Sequence, residues 1–143
     1  MTQRTANVTW SGSLMDGNGT IESVDSGAFG PLEVTWASRT EDPKGLTSPE
    51  ELIAAAHAAC FSMALSHGLA QAETPPSRLD TSATVTFVPG TGITRIALVV
   101  RGSVPGIDAT GFAEAAAAAK EGCPVSKALA AVPEITLEAS LAS

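Results

Sequence analysis

Two cysteines carry the chemistry this chain shows first. Cys60 lies inside the apolar run SPEELIAAAHAACFSMALSHGLA, residues 48–70, and Cys123 lies at a helix break in AKEGCPVSKAL, residues 119–129. Neither stands in the Cys-x-x-Cys spacing of a metal knuckle or a thioredoxin-type site. A free thiol has a pKa near ~8.5, and burial in an apolar helix raises it further. Cys60 is therefore inert unless a cation sits beside it. As a thiolate it would attack a peroxide oxygen and become a sulfenic acid, which a second thiol condenses into a disulfide. Cys123 suits the second task, because free backbone N–H groups at the start of the following helix favour thiolate.

Blander readings stand beside this one. Taken alone, Cys60 is more often a packing residue than a catalytic one, and Cys123 more often a plain helix-boundary residue. A structural Cys60–Cys123 bridge would contribute about 4 kcal/mol in the chain-entropy model, against the pull of a reducing cytosol. His57 lies three residues before Cys60, on nearly the same helix face. It could polarise the thiol or join a metal site. Only His67 remains as a further ligand, so a hydrogen-bonded packing role is preferred and no metal is expected.

The 143 residues fit one domain, 1–143, or one protomer of a small oligomer. A hydrophobic content of 44% is enough for a true core. The net charge of −7 and the scattered Lys and Arg argue against nucleic acid or an acidic membrane surface as partner. Glu, His and Ser interrupt the longest apolar run before ~18 residues, so no membrane span is expected. MTQRTANVTW lacks the apolar core of a secretory signal, which makes a cytoplasmic location with reduced thiols the default.

The elements that must position the thiols follow from periodicity and punctuation. Thr5–Trp10, Gly19–Val24 and Leu32–Ser38 read as strands of a meander separated by glycine-rich turns. Ser48, Pro49 and Glu51 form a capping-box start for a helix running from Pro49 to His67 and stopping near Gly68. That helix is apolar on most sides, which predicts burial at the centre of the molecule. Ser82–Val88 and Ile93–Ser103 read as a hairpin with Ile96, Leu98 and Val100 on one face. Asp108 caps a helix over Ala109–Glu121, Cys123-Pro124 opens a short helix to about Ala131, and Ile135–Leu141 alternates as a final strand. The order predicts an α+β fold with largely antiparallel sheets.

The segment TSPEELIAAAHAACFSMAL together with GCPVS resembles the OsmC/Ohr family, the osmotically inducible and organic hydroperoxide resistance proteins. The resemblance covers essentially the whole chain, from the Trp10 hairpin through VPGIDA to the closing ITLEASL strand. It implies an OsmC-like fold with a long central helix, an intertwined homodimer and active sites at the subunit interface. It implies a thiol peroxidase for organic hydroperoxides, with Cys60 peroxidatic, Cys123 resolving, and Arg39 and Glu50 beside the reactive thiol. It also implies no bound cofactor and recycling by an external dithiol of the dihydrolipoyl type. The Ohr branch draws its arginine from the N-terminal hairpin, but residues Val8–Val34 contain none. Arg39 is placed as in the OsmC branch.

Glu50 and Cys60 are ten residues apart on one predicted helix. That separation is roughly 15 Å of rise, with facings about 80° apart. If both serve one site, Glu50 must come from a partner chain. Two copies of the helix packed antiparallel about Ala54-Ala55-Ala56 would achieve this. Without the resemblance, Arg39–Glu50 reads as a loop-to-helix salt bridge of small value. Whether Glu51 shares the Glu50 role is open. Leu52, Ile53, Ala56, Phe61, Met63 and Ala64 would line or back an apolar site favouring alkyl or aryl hydroperoxides. The rival from another class is a non-catalytic module binding an apolar small molecule in the dimer cleft, and a third reading is a purely structural dimer.

Overall fold

The computed structural model describes residues 1–142, which form two compact units, Met1–Leu52 and the chain from Ile53 onward. In the first unit β1 (Ala6–Ser11), β2 (Asn18–Val24) and β3 (Leu32–Val34) make an antiparallel sheet in the order β1-β2-β3. Ile21 on β2 is buried, whereas β1 is exposed along its whole length.

The third strand is shorter than the sequence suggests. After Val34 the chain turns into a five-residue helix, α1 (Trp36–Thr40). The Thr35 hydroxyl accepts the Ser38 N–H at 2.9 Å, and the Ser38 hydroxyl accepts the Thr35 N–H at 2.9 Å. This reciprocal cap offers the backbone an alternative to the strand ladder at residues whose β-branched or aromatic character favours extension. α1 exists to carry Arg39, which sits in its last turn.

The long helix α2 spans Pro49–Gln71. The Ser48 hydroxyl accepts the Glu51 N–H at 3.2 Å, but the Glu51 carboxylate accepts the Thr47 hydroxyl at 2.9 Å, leaving the capping box half closed. Gly68 does not stop the helix. The end is a Schellman motif in which Glu73 is left-handed (φ 64), the Thr74 N–H reaches the Leu69 carbonyl and the Glu73 N–H reaches the Ala70 carbonyl. Thr74-Pro75-Pro76 then prevents continuation.

The expectation that α2 is buried on most sides is met on one edge only. His57, Phe61, Leu65 and Leu69, at successive i, i+4 positions, are buried, while Ala55, Ala56, Ala59 and Met63 are exposed. By length and hydropathy alone α2 is apolar enough to cross a membrane. Its buried edge nevertheless packs into the hydrophobic core of the second unit, as a core helix does.

In that second unit β4 (Arg78–Val88) and β5 (Gly92–Ser103) form the predicted hairpin, and β6 (Glu134–Leu141) lies parallel to β5. Parallel pairing requires a crossover. It is supplied by α3 (Ala109–Gly122) and α4 (Pro124–Ala128), the latter ending three residues before the Ala131 expected from sequence. The Asp108 carboxylate caps α3 by accepting the Gly111 N–H at 2.7 Å. Leu98 and Val100 of β5 meet Phe61, Leu65 and Leu69 of α2 and Phe112 and Ala116 of α3 in one core. Gly102 is required there: a Cβ would lie 2.6 Å from the Phe112 ring. Burial of each large apolar side chain contributes about 1.5–3 kcal/mol. Together these contacts fix α2 against the α3–α4 junction, and that junction carries Cys123.

Candidate active site

Cys60 is partly buried on the inner half of α2, and Cys123 is fully buried at the α3–α4 junction. Cys123 closes one helix and opens the next. Its N–H is donated to the Ala119 carbonyl at 2.9 Å, its carbonyl accepts the Lys127 N–H at 3.1 Å, and Pro124 follows at the first position of α4. Both residues are free thiols, and they are close enough neighbours that each shifts the ionisation of the other.

The surroundings make the two sulfurs unequal. Burial pushes the Cys60 thiol up, and so does its hydrogen bond to Cys123, while the Val125 N–H pulls it down. Burial also opposes ionisation of Cys123. There it is outweighed by the neighbouring Cys60 thiol, the N–H and hydroxyl of Ser126 and the N–H of Val125, so the Cys123 pKa is lowered. Within the single chain, Cys123 is the more acidic of the two sulfurs. This is the pattern expected of a buried thiol without a cation beside a thiol at a helix start.

His57 lies one turn before Cys60 and is fully buried. Its Nε2 is 2.7 Å from the Ser126 hydroxyl, and its Nδ1 has no hydrogen-bond partner among the described residues. Burial lowers its pKa below 6.5, which keeps the imidazole neutral at pH 7. Sequence reasoning missed Ser126. Its one signal is its place three residues after Cys123, in the first turn of a helix whose free N–H groups already face the sulfur.

The first unit holds the charged pair. Arg39 Nε is 2.9 and 3.1 Å from the two Glu50 carboxylate oxygens, and Nη2 is 2.7 Å from Oε1. The Glu50 side chain is 8% exposed and that of Arg39 29%. The guanidinium also lies over the Trp36 ring, 5.9 Å from its centroid. Beside it is a cavity of about 80 Å³ lined by Trp10, Leu14, Val34, Trp36, Arg39 and Pro49. Glu51 takes no part in the pair, since its carboxylate is turned to Thr47. The structure thus joins Arg39 to Glu50, and Cys60 to Cys123, each within one unit.

The residues expected to line an apolar site are divided. Phe61 is in the core with no exposed surface, Leu52 and Ile53 are half-buried, and Met63 is 73% exposed. Phe61 is thus a core residue, and Met63 offers exposed apolar surface on α2.

The model of the OsmC-like protein family matches residues 41–138. The chain is 47% identical over 137 residues to peroxiredoxin OsmC of Escherichia coli, covering 94% of this chain and 93% of that one. Among solved structures it is similar to the organic hydroperoxide resistance protein OhrB of Bacillus subtilis, with a TM-score of 0.63, 26% identity and coverage of 96% and 98%. An OsmC-like protein from Mycoplasma pneumoniae shares the fold with a TM-score of 0.70 at 16% identity, covering 97% of this chain and 98% of that one. The chain belongs to the OsmC family, on its OsmC branch.

Proposed function

We propose that the protein is a thiol-dependent peroxidase that reduces organic hydroperoxides to alcohols. The observation that carries this reading is the neighbouring pair of free thiols, Cys60 and Cys123, in a family whose relatives include a named peroxiredoxin. The Cys60 thiolate attacks the terminal peroxide oxygen. The O–O bond breaks, the alkoxide leaves and takes a proton as the alcohol, and Cys60 becomes a sulfenic acid. The Cys123 sulfur then attacks the Cys60 sulfur, the S–O bond breaks, and water leaves. An external dithiol of the dihydrolipoyl type reduces the resulting disulfide by exchange. No bound cofactor enters this cycle, and a cytoplasmic location would keep such a dithiol available.

Cys60 is the less acidic sulfur in the single chain, so its activation needs a cation. We assign that task to Arg39 of a partner chain, held by its Glu50. α2 is continuous from Pro49 to Gln71, so the separation of Glu50 from Cys60 expected from sequence applies. The exposed small side chains Ala55, Ala56 and Ala59 support antiparallel packing of two copies of α2 in a homodimer. The guanidinium would lower the Cys60 pKa and hold the peroxide oxygens in line with sulfur, a task for a planar fork. Leu52, Ile53 and Met63, backed by Phe61, favour an alkyl or aryl hydroperoxide over hydrogen peroxide.

The test is hydroperoxide consumption with dihydrolipoamide as reductant. Wild-type protein should turn over cumene hydroperoxide, Cys60→Ser should not, and Cys123→Ser should stop after one equivalent. Equal consumption by Cys60→Ser and wild type would refute the peroxidase reading.

A further inference from the structure

The buried edge of α2 reads His57, Phe61, Leu65, Leu69, and only its first member is polar. An apolar residue would fill that position without burying ring nitrogens. His57 leaves one nitrogen without a partner among the described residues, which costs stability. Buried polar groups of this kind call for an explanation beyond packing. The unpartnered atom also selects the tautomer. A buried N–H without an acceptor is rarer and costlier than a buried lone pair without a donor. Nδ1 therefore carries the lone pair and Nε2 the proton. Nε2–H donates to the Ser126 hydroxyl at 2.7 Å, which leaves the single Ser126 O–H free to point at the nearby Cys123 sulfur, whose thiolate it favours.

We infer that His57 and Ser126 form a one-way donor chain, imidazole to hydroxyl to sulfur, that makes both of them positioning residues for attack by Cys123. The chain rests on the peroxidase reading for its purpose, though not for its geometry. It holds electron density on the Cys123 sulfur aimed at Cys60, the partner it already touches. In the step it serves, the Cys123–Cys60 S–S bond forms and the Cys60 S–O bond breaks. The proton given up by the Cys123 thiol leaves with the hydroxyl as water. The neutral imidazole is neither consumed nor oxidised. Fixing the ring by a hydroxyl rather than a carboxylate keeps the donor chain itself uncharged, so it favours the resolving thiolate without adding a negative charge beside it.

The experiment follows Cys60 through single turnover with cumene hydroperoxide, quenched with dimedone and read by mass spectrometry. Wild type should close its disulfide with little trapped sulfenic acid. His57→Leu and Ser126→Ala should form the sulfenic acid at the wild-type rate but close the disulfide about tenfold more slowly, so that the dimedone adduct accumulates. His57→Gln, whose amide can donate from near the Nε2 position, should recover closure to within about threefold, a rescue that simple space-filling does not predict. Folded His57→Leu and Ser126→Ala proteins closing at the wild-type rate would overturn the donor chain. A wild type that shows no peroxide-dependent loss of thiols would overturn the peroxidase reading instead. In that event, thiolate absorbance at 240 nm in reduced Cys60→Ser protein decides the donor chain. Adding Ser126→Ala should lower the Cys123 thiolate fraction at fixed pH, and an unchanged fraction would refute the chain.

Discussion

The Arg39–Glu50 corner and the Cys60–Cys123 pocket use opposite electrostatics. The first is a two-pronged ion pair with a buried carboxylate, a partly exposed guanidinium and an aromatic face beneath it. The second contains only neutral groups: two thiols, a hydroxyl, an imidazole and backbone N–H groups. The first holds its form by full charges, and the second by directional hydrogen bonds in a low-dielectric core. The difference shows where the anion rests. A neutral pocket by itself favours a thiolate on Cys123, the sulfur facing the most donors, and leaves Cys60 protonated. An added positive charge would reverse that order, and in the proposed cycle Arg39 of a partner chain supplies it.

The largest expected effect comes from removing that charge. Arg39→Ala should slow the reaction of Cys60 with cumene hydroperoxide by about 100-fold or more while the fold survives, as measured by stopped-flow thiol loss. Arg39→Lys should recover only part of it, because an ammonium lacks the planar fork. A near-normal rate in Arg39→Ala would mean that the neutral pocket activates Cys60 unaided.

A smaller effect distinguishes which chain supplies the charge. Arg39→Ala and Cys60→Ser proteins are each expected to be nearly inactive. Mixed and allowed to exchange subunits, they should regain about a quarter of wild-type activity, because half of the dimers then carry one intact site. No recovery after proven exchange would place Arg39 and Cys60 of one site in the same chain.

The smallest effect lies in the neutral pocket. Burial lowers the His57 pKa below 6.5, so in acid the unfolded chain binds a proton that the folded chain refuses. The stability this confers is present above pH 6.5 and declines as pH falls below it. Denaturant midpoints at pH 7.5 and 5.0 should therefore differ less for His57→Gln than for wild type. An equal difference would mean that His57 is free to take a proton in the folded state.

Much of this architecture is legible in the sequence. The alternation Ile96, Leu98, Val100 fixes the buried face of β5, and Ser48-Pro49 marks the start of α2. Other features depend on partners distant in the chain. α2 is rich in alanine, so its apolar pattern has no preferred side, and only the fold selects the His57–Leu69 edge for burial. α1 is set by the Thr35 and Ser38 hydroxyls, each accepting the other residue's N–H, which outweighs the aromatic character of Trp36. Ser126 becomes meaningful only once α4 is seated against His57, 69 positions away. Spacing alone suggests an ordinary Arg39–Glu50 salt bridge, and only the family resemblance gives that pair a role beside the reactive thiol.

Intact-mass and peptide mapping after one equivalent of cumene hydroperoxide bear on the two-thiol cycle itself. The protein should lose two hydrogens, located to a Cys60–Cys123 disulfide, and Cys123→Ser should instead gain one oxygen on Cys60. Two unmodified thiols in the treated wild-type protein, or oxygen retained on Cys60 with Cys123 still reduced, would contradict it.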